Sequence, residues 1–152
     1  MEIIEDSRQK EHAHELKHKK WTEDGTVLYR CKLPYGDYAL PPGVSVDTKA
    51  NLEEIASNLC GARSERERVE REEKLAVKLH GKLIYLIETP DVKTKTDLIG
   101  KSILLRSGQI VSGEQLMRAI EKHEHVYGSE FRFCTPEESA KRIEEILSSE
   151  GG

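Results

Sequence analysis

Residues 82–88, KLIYLIE, are the most apolar run in the chain and set the first constraint on its fold. An unbroken apolar stretch of this length lacks the alternation of a strand with one wet face, so it reads as a central strand buried on both sides. Residues 63–80, RSERERVEREEKLAVKLH, precede it as a charge-dense helix that turns apolar at Leu75, Ala76 and Leu79 and stops at Gly81. A helix running directly into a doubly buried strand implies an α/β class, with a central mixed β-sheet flanked by helices.

The other segments are compatible with that class. Residues 2–5 read as a short strand with Asp6 and Arg8 at its C-terminal end, where α/β sheets collect functional polar groups. Residues 10–21 are helical by composition and end at Asp24-Gly25. Residues 26–33 alternate as a strand with Val27, Tyr29 and Cys31 on one side, and with the hairpin that follows they predict three antiparallel strands in succession. Leu52, Ile55, Ala56 and Leu59 repeat at helical spacing up to Gly61. Residues 97–111 fit either a short helix or an irregular hairpin. Ser112 opens a helix that runs to Tyr127-Gly128, a strand follows at 130–134, and Thr135-Pro136 predicts the start of a last helix carrying Ala140, Ile143, Ile146 and Leu147.

With 152 residues and neither an internal repeat nor a linker, a single domain over 1–152 is expected. Charged residues are 34% of the chain and aromatic ones 5%, which implies a largely aliphatic core under solvated helices. A net charge of -4 argues against a globally basic nucleic-acid binder and leaves room for a local basic face. Cys31, Cys60 and Cys134 have no zinc or disulfide spacing, and no apolar run approaches the ~20 residues of a membrane span. The expected setting is intracellular and cytoplasmic, away from any membrane.

Function is concentrated in residues 36–49, GDYALPPGVSVDTK. As a hairpin closed by Pro41-Pro42-Gly43, this stretch sets Leu40 opposite Val44, Tyr38 opposite Val46 and Asp37 opposite Asp47. The facing carboxylates repel unless a cation bridges them or one takes up a proton, so the pattern points to a divalent metal site with Lys49 beside it. The plainer alternative makes Asp37 a turn residue and Asp47/Lys49 an ordinary surface pair. Asp6, Glu53 and Glu72 are the further acids expected near the site. His12, His14, Lys17, His18, Lys19 and Lys20 form a cationic stretch suited to phosphate contacts, which Arg8, Lys10 and Arg68 would extend.

Gly36-Asp37, nine residues, Asp47-Thr48-Lys49, three residues and Glu53 reproduce the spacing of a known signature. With IIEDSRQ, the Arg68 to Glu72 turn and KLIYLIE, the chain resembles the nuclease domain of XPF-type structure-specific endonucleases of the PD-(D/E)xK superfamily. It is also similar, in its C-terminal half, to compact stand-alone bacterial and phage relatives. The resemblance implies a restriction-endonuclease-like core and a Mg2+- or Mn2+-dependent endonuclease acting on duplex or branched DNA, leaving 5'-phosphates. Asp37 and Asp47 would hold the metal, and with Lys49 would form the catalytic set. Two departures stand out: Thr48 replaces the signature arginine, and no tandem helix-hairpin-helix module accompanies the domain. A Holliday-junction resolvase and a non-catalytic DNA-binding module are the alternative functions. Relatives often pair, and the 112–127 helix, with Leu116, Ile120 and Val126, is the candidate homodimer surface unless that stripe faces the core.

Overall fold

The structure, a computed structural model, describes residues 1–10, 13–40 and 43–150. His12 and the Pro41-Pro42 part of the hairpin loop lie outside the described residues. Six strands form one sheet in the order β2-β1-β3-β4-β5-β8. They are β1 (Glu2–Asp6), β2 (Val27–Cys31), β3 (Tyr38–Leu40), β4 (Val44–Lys49), β5 (Lys82–Glu88) and β8 (Glu130–Cys134). All neighbours are parallel except where β3 runs antiparallel to β1 and β4. The C-terminal ends of β1, β4, β5 and β8 therefore open along one edge, joined there by the N-terminal end of β3.

β5 meets its expected bounds, and Leu83 to Ile87 are at most 1% exposed. Its alternate side chains feed two cores. Leu83, Tyr85 and Ile87 pack with α2 (Leu52–Cys60), α3 (Arg63–Lys78) and α4 (Gly113–Tyr127). Ile84 and Leu86 pack with α1 (Glu15–Glu23) and α5 (Ser139–Glu150), around Trp21, Tyr38, Val46 and Ile143. Each Leu or Ile so buried contributes about 1.5–3 kcal/mol, enough for β5 to dominate the sheet.

The hairpin register is the expected one as far as it runs, with Tyr38 opposite Val46 and Leu40 opposite Val44, but the ladder stops at Tyr38: Asp37 precedes β3 and is not paired with Asp47, its backbone N–H donating to Val46 O instead. The expected succession of three antiparallel strands does not form: β1 lies between β2 and β3. Because α1 forms a crossover after β1, the chain re-enters the sheet parallel to β1 and on its outer side. Burial agrees with this order, since Ile3 is fully buried while Val27 and Tyr29 on the outer strand are about half exposed.

Two helix starts differ from expectation, an open alternative is resolved, and the stripe on α4 faces inward. α1 starts at Glu15 with no side-chain cap and continues to Glu23, where Asp24 and Gly25 end it. The ambiguous stretch resolves into a 3-10 turn at Lys95–Leu98 and a separate hairpin of β6 (Ser102–Leu104) and β7 (Ile110–Ser112). α5 begins only at Ser139, because the Thr135 backbone N–H and Oγ1 both donate to the Glu138 carboxylate and close a preceding turn. On α4, Ser112 caps as expected, and Leu116 and Ile120 are fully buried in the protein's own core, the core-facing alternative for that stripe, while Val126 is exposed. No described helix is long and apolar enough to cross a membrane.

Candidate active site

Gly36 makes the turn into the site possible. It sits at φ +75°, and an added Cβ would come within 2.6 Å of the Ser45 Cβ, so the chain can press against β4 only with glycine here. Asp37 follows at once and is tied in from both sides: its backbone N–H donates to Val46 O at 2.8 Å and its carbonyl accepts from Asp6 N at 2.7 Å. These bonds place the ends of β1, β3 and β4 around one polar cleft of about 260 Å³.

Asp37 points its Oδ2 at Thr48, accepting from the backbone N–H at 2.8 Å and from Oγ1 at 2.9 Å. Burial, and then the negative charge of Asp47, push its pKa up from 3.8 to about 8, against the opposing pull of Thr48 and Lys49. The Lys49 Nζ sits 3.0 Å from Asp47 Oδ1, and both residues are buried. Burial works against the charge on Lys49, but Asp47, Glu54 and Asp37 outweigh it and hold its pKa above the ordinary lysine value. Beneath the ammonium, 5.7 Å away, lies the Tyr85 ring, itself stacked on Phe131 at 4.7 Å. That floor holds Lys49 at the cleft from below.

Asp6, Arg8, Arg68 and Glu72 line the same cleft, as their sequence positions suggested. Asp6 accepts from Leu33 N at 3.1 Å and from Arg8 Nε at 3.0 Å, so it secures the loop before Asp37. Arg68 pairs with Glu65 at 2.9 Å. Glu72 accepts from the Gly36 backbone, and its pKa is raised, first by burial and then by Asp47.

Glu53 is not brought into the cleft. It faces Arg106, 3.9 Å away, across a neighbouring groove, and Glu54 stands in the cleft in its place. The reason is local: Asn51 Oδ1 caps α2 by accepting from Glu54 N at 2.9 Å, and Glu54 Oε2 folds back to accept from Ala50 N at 2.9 Å. An Asn-x-x-Glu spacing at a helix start is the signal that would have singled out Glu54.

The cationic stretch divides in two. Lys10, Lys19 and Lys20 are exposed. Lys17 is 5% exposed and lies inside, with Nζ 2.5 Å from Glu88 Oε2 and 3.3 Å from His14 Nδ1, so it is not available as a surface phosphate contact. The cause is helical spacing, which puts Lys17 on the same inward face as Trp21. His14 is held neutral, its pKa lowered to about 4 by burial and then by Lys17. His18 Nε2 is taken up by the buried Glu5 at 2.7 Å.

Among the described residues no three His, Cys, Asp or Glu side chains converge as a ready-made metal cage. The donor set at the cleft nonetheless suits a hard divalent ion. Its carboxylates, Asp37 and Asp47 with Glu72 beside them, offer oxygen ligands, and a cation would relieve the part of the raised Asp37 pKa that Asp47 causes, burial causing the larger part. Half-buried Asp37 with buried Asp47 and Lys49, gathered at one edge of the sheet, have the groups to bind such an ion, hold a phosphate beside it and orient a water molecule.

No protein-family model and no curated protein matches this chain. Solved structures do. XPF from Aeropyrum pernix superposes with a TM-score of 0.67 at 18% identity, covering 99% of this chain and 66% of that one. The same protein described in complex with DNA gives 0.68 at 17%, covering 97% and 64%. The fold is XPF-like. This chain thus spans about two thirds of the length of those XPF chains.

Proposed function

We propose that the protein is a metal-dependent endonuclease that hydrolyses phosphodiester bonds in duplex or branched DNA, using Mg2+ or Mn2+. The observation that carries this is the meeting of Asp37, just before β3, with Asp47 and Lys49 at the C-terminal end of β4 in one cleft, where burial and then the charge of Asp47 raise the pKa of Asp37. The XPF-like fold, one example of which is described in complex with DNA, supports the same choice of substrate.

Asp37 and Asp47 are the residues that would hold the ion. When bound, it supplies Lewis acidity at the phosphate and a water of lowered pKa. Lys49, a fixed ammonium beside Asp47, orients the attacking water and offsets charge that develops on the phosphate oxygens. Arg8, whose side chain is half exposed at the cleft mouth, and Arg68 are placed to contact the neighbouring backbone, a role the signature arginine would otherwise share. Lys10, Lys19 and Lys20 add exposed positive charge, so DNA binding is salt-sensitive despite the acidic total.

Incubating the protein with duplex, flap, fork and four-way DNA, with and without Mg2+ or Mn2+, tests the proposal. Cleavage should require the ion and vanish in Asp37→Asn. Binding of the same DNA with no cleavage under any metal would favour the non-catalytic module, and cleavage confined to the four-way substrate would favour a resolvase.

A further inference from the structure

We infer that Thr48 is a positioning residue that restrains Asp37 to one-oxygen coordination and so biases the site toward small octahedral cations; this rests on the nuclease reading above. Both the backbone N–H and the Oγ1 of Thr48 donate to one atom, Asp37 Oδ2. In the same cleft, Lys49 pairs with Asp47 through Oδ1. Hydrogen bonds and ion pairs among the described residues therefore leave one oxygen of each carboxylate, Oδ1 of Asp37 and Oδ2 of Asp47, for a ligand.

Thr48 occupies the position at which the resembling signature carries arginine. A threonine there cannot reach a phosphate as a guanidinium does. It can instead fix the rotation of the carboxylate it touches. At 7% exposure its hydroxyl has little water to turn to, and Asp37 is its bonded acceptor in the cleft. A carboxylate restrained at one oxygen binds through the other. That geometry suits Mg2+ or Mn2+, which keep an octahedral shell completed by water, better than Ca2+, which takes six to eight oxygens and often both of a carboxylate. Without the Oγ1 bond, Asp37 is held only by the backbone N–H and is freer to turn both oxygens into the cleft.

The test measures Mn2+ and Ca2+ binding to the full chain by calorimetry in Thr48→Val, which keeps the shape and the backbone donor, and in Thr48→Ser, which keeps a hydroxyl. Asp37→Asn serves as the site control, and Thr48→Ala removes the same hydroxyl should the valine variant not fold. Loss of one hydrogen bond to a charged group predicts Mn2+ binding weakened about ten-fold. Ca2+ binding should weaken less, so the Mn2+ preference falls, and kcat should drop while KM for DNA holds. Thr48→Ser should restore all three. If the valine and wild-type proteins bind both ions alike while Asp37→Asn does not, the role of Thr48 is wrong and the metal site stands. The role is equally wrong if serine behaves as valine does. If Asp37→Asn binds Mn2+ as tightly as wild type, the metal site is misplaced, and the nuclease assignment fails with it.

Discussion

In the metal-free protein, replacing Asp37 with asparagine should raise stability at alkaline pH. The native carboxyl has its pKa pushed from 3.8 to about 8, so between those values the folded state holds a proton that the unfolded chain releases. Stability of the wild type must therefore fall as pH rises through that window and be lowest above it. Taken at face value the displacement corresponds to ~6 kcal/mol at pH above 8. Asp37 is half-buried at a cleft open to water, and screening there brings the expected measurable penalty to ~2 kcal/mol. Asparagine keeps the acceptor for Thr48 and removes the charge. Metal-free Asp37→Asn at pH 8.5 should thus melt ~4–8 °C above wild type, and the two should converge only below about pH 4, where the carboxyl is protonated in both folded and unfolded chains. Saturating Mn2+ should reverse the order, since an ion at 100 times its Kd stabilises the wild type by ~2.7 kcal/mol and the variant hardly at all. Scanning calorimetry across this pH range, with EDTA and then with Mn2+, measures both effects. A variant less stable than wild type at pH 8.5 without metal would mean that Asp37 is an ordinary structural carboxylate.

Lys49→Ala should leave metal binding and DNA binding in place while single-turnover cleavage falls by about 10²–10³, read on a fixed-end-label gel. Lys19→Ala combined with Lys20→Ala should weaken DNA binding and reduce the slope of log K against log salt by ~0.9 per lost contact, with cleavage at saturating protein unchanged. Lys17→Ala should cost ~3 kcal/mol in urea denaturation by leaving Glu88 buried without its ammonium, and adding Glu88→Gln should recover part of that loss.

The sequence was most legible where structure is decided locally. The 82–88 strand and the Tyr38/Val46 register follow from side-chain alternation and turn chemistry within a few residues of each other. The place of β1 depends on a partner some 25 to 35 residues away, and nothing in residues 2–6 says which edge of a sheet they will join. Lys17 was misjudged for a related reason. A lysine on a charged helix reads as solvated unless the acid that takes it inside is known, and that acid, Glu88, lies on a different layer. Glu53 and Glu54 are neighbours on one helix and point about 100° apart, so motif spacing alone cannot choose between them. The cap at Asn51 chooses Glu54.

Partnering distinguishes Asp37 and Glu72 from the other acids gathered at this sheet edge, Asp47 included. Glu5 meets Arg30 at 3.1 Å, Asp6 meets Arg8 at 3.0 Å, Asp47 meets Lys49 at 3.0 Å and Glu88 meets Lys17 at 2.5 Å. Asp37 and Glu72, by contrast, are met directly by neutral donors, Thr48 and the Gly36 backbone, and both have raised pKa values to which Asp47 contributes. A sheet edge evolved only to fold has no need for that deficit, since one more lysine within reach, or an asparagine at position 37, would remove it. A module that had lost turnover would be free to accept such a change. Burying two carboxylates that only neutral donors meet costs stability, and in the proposed nuclease that cost would be offset when a divalent cation binds.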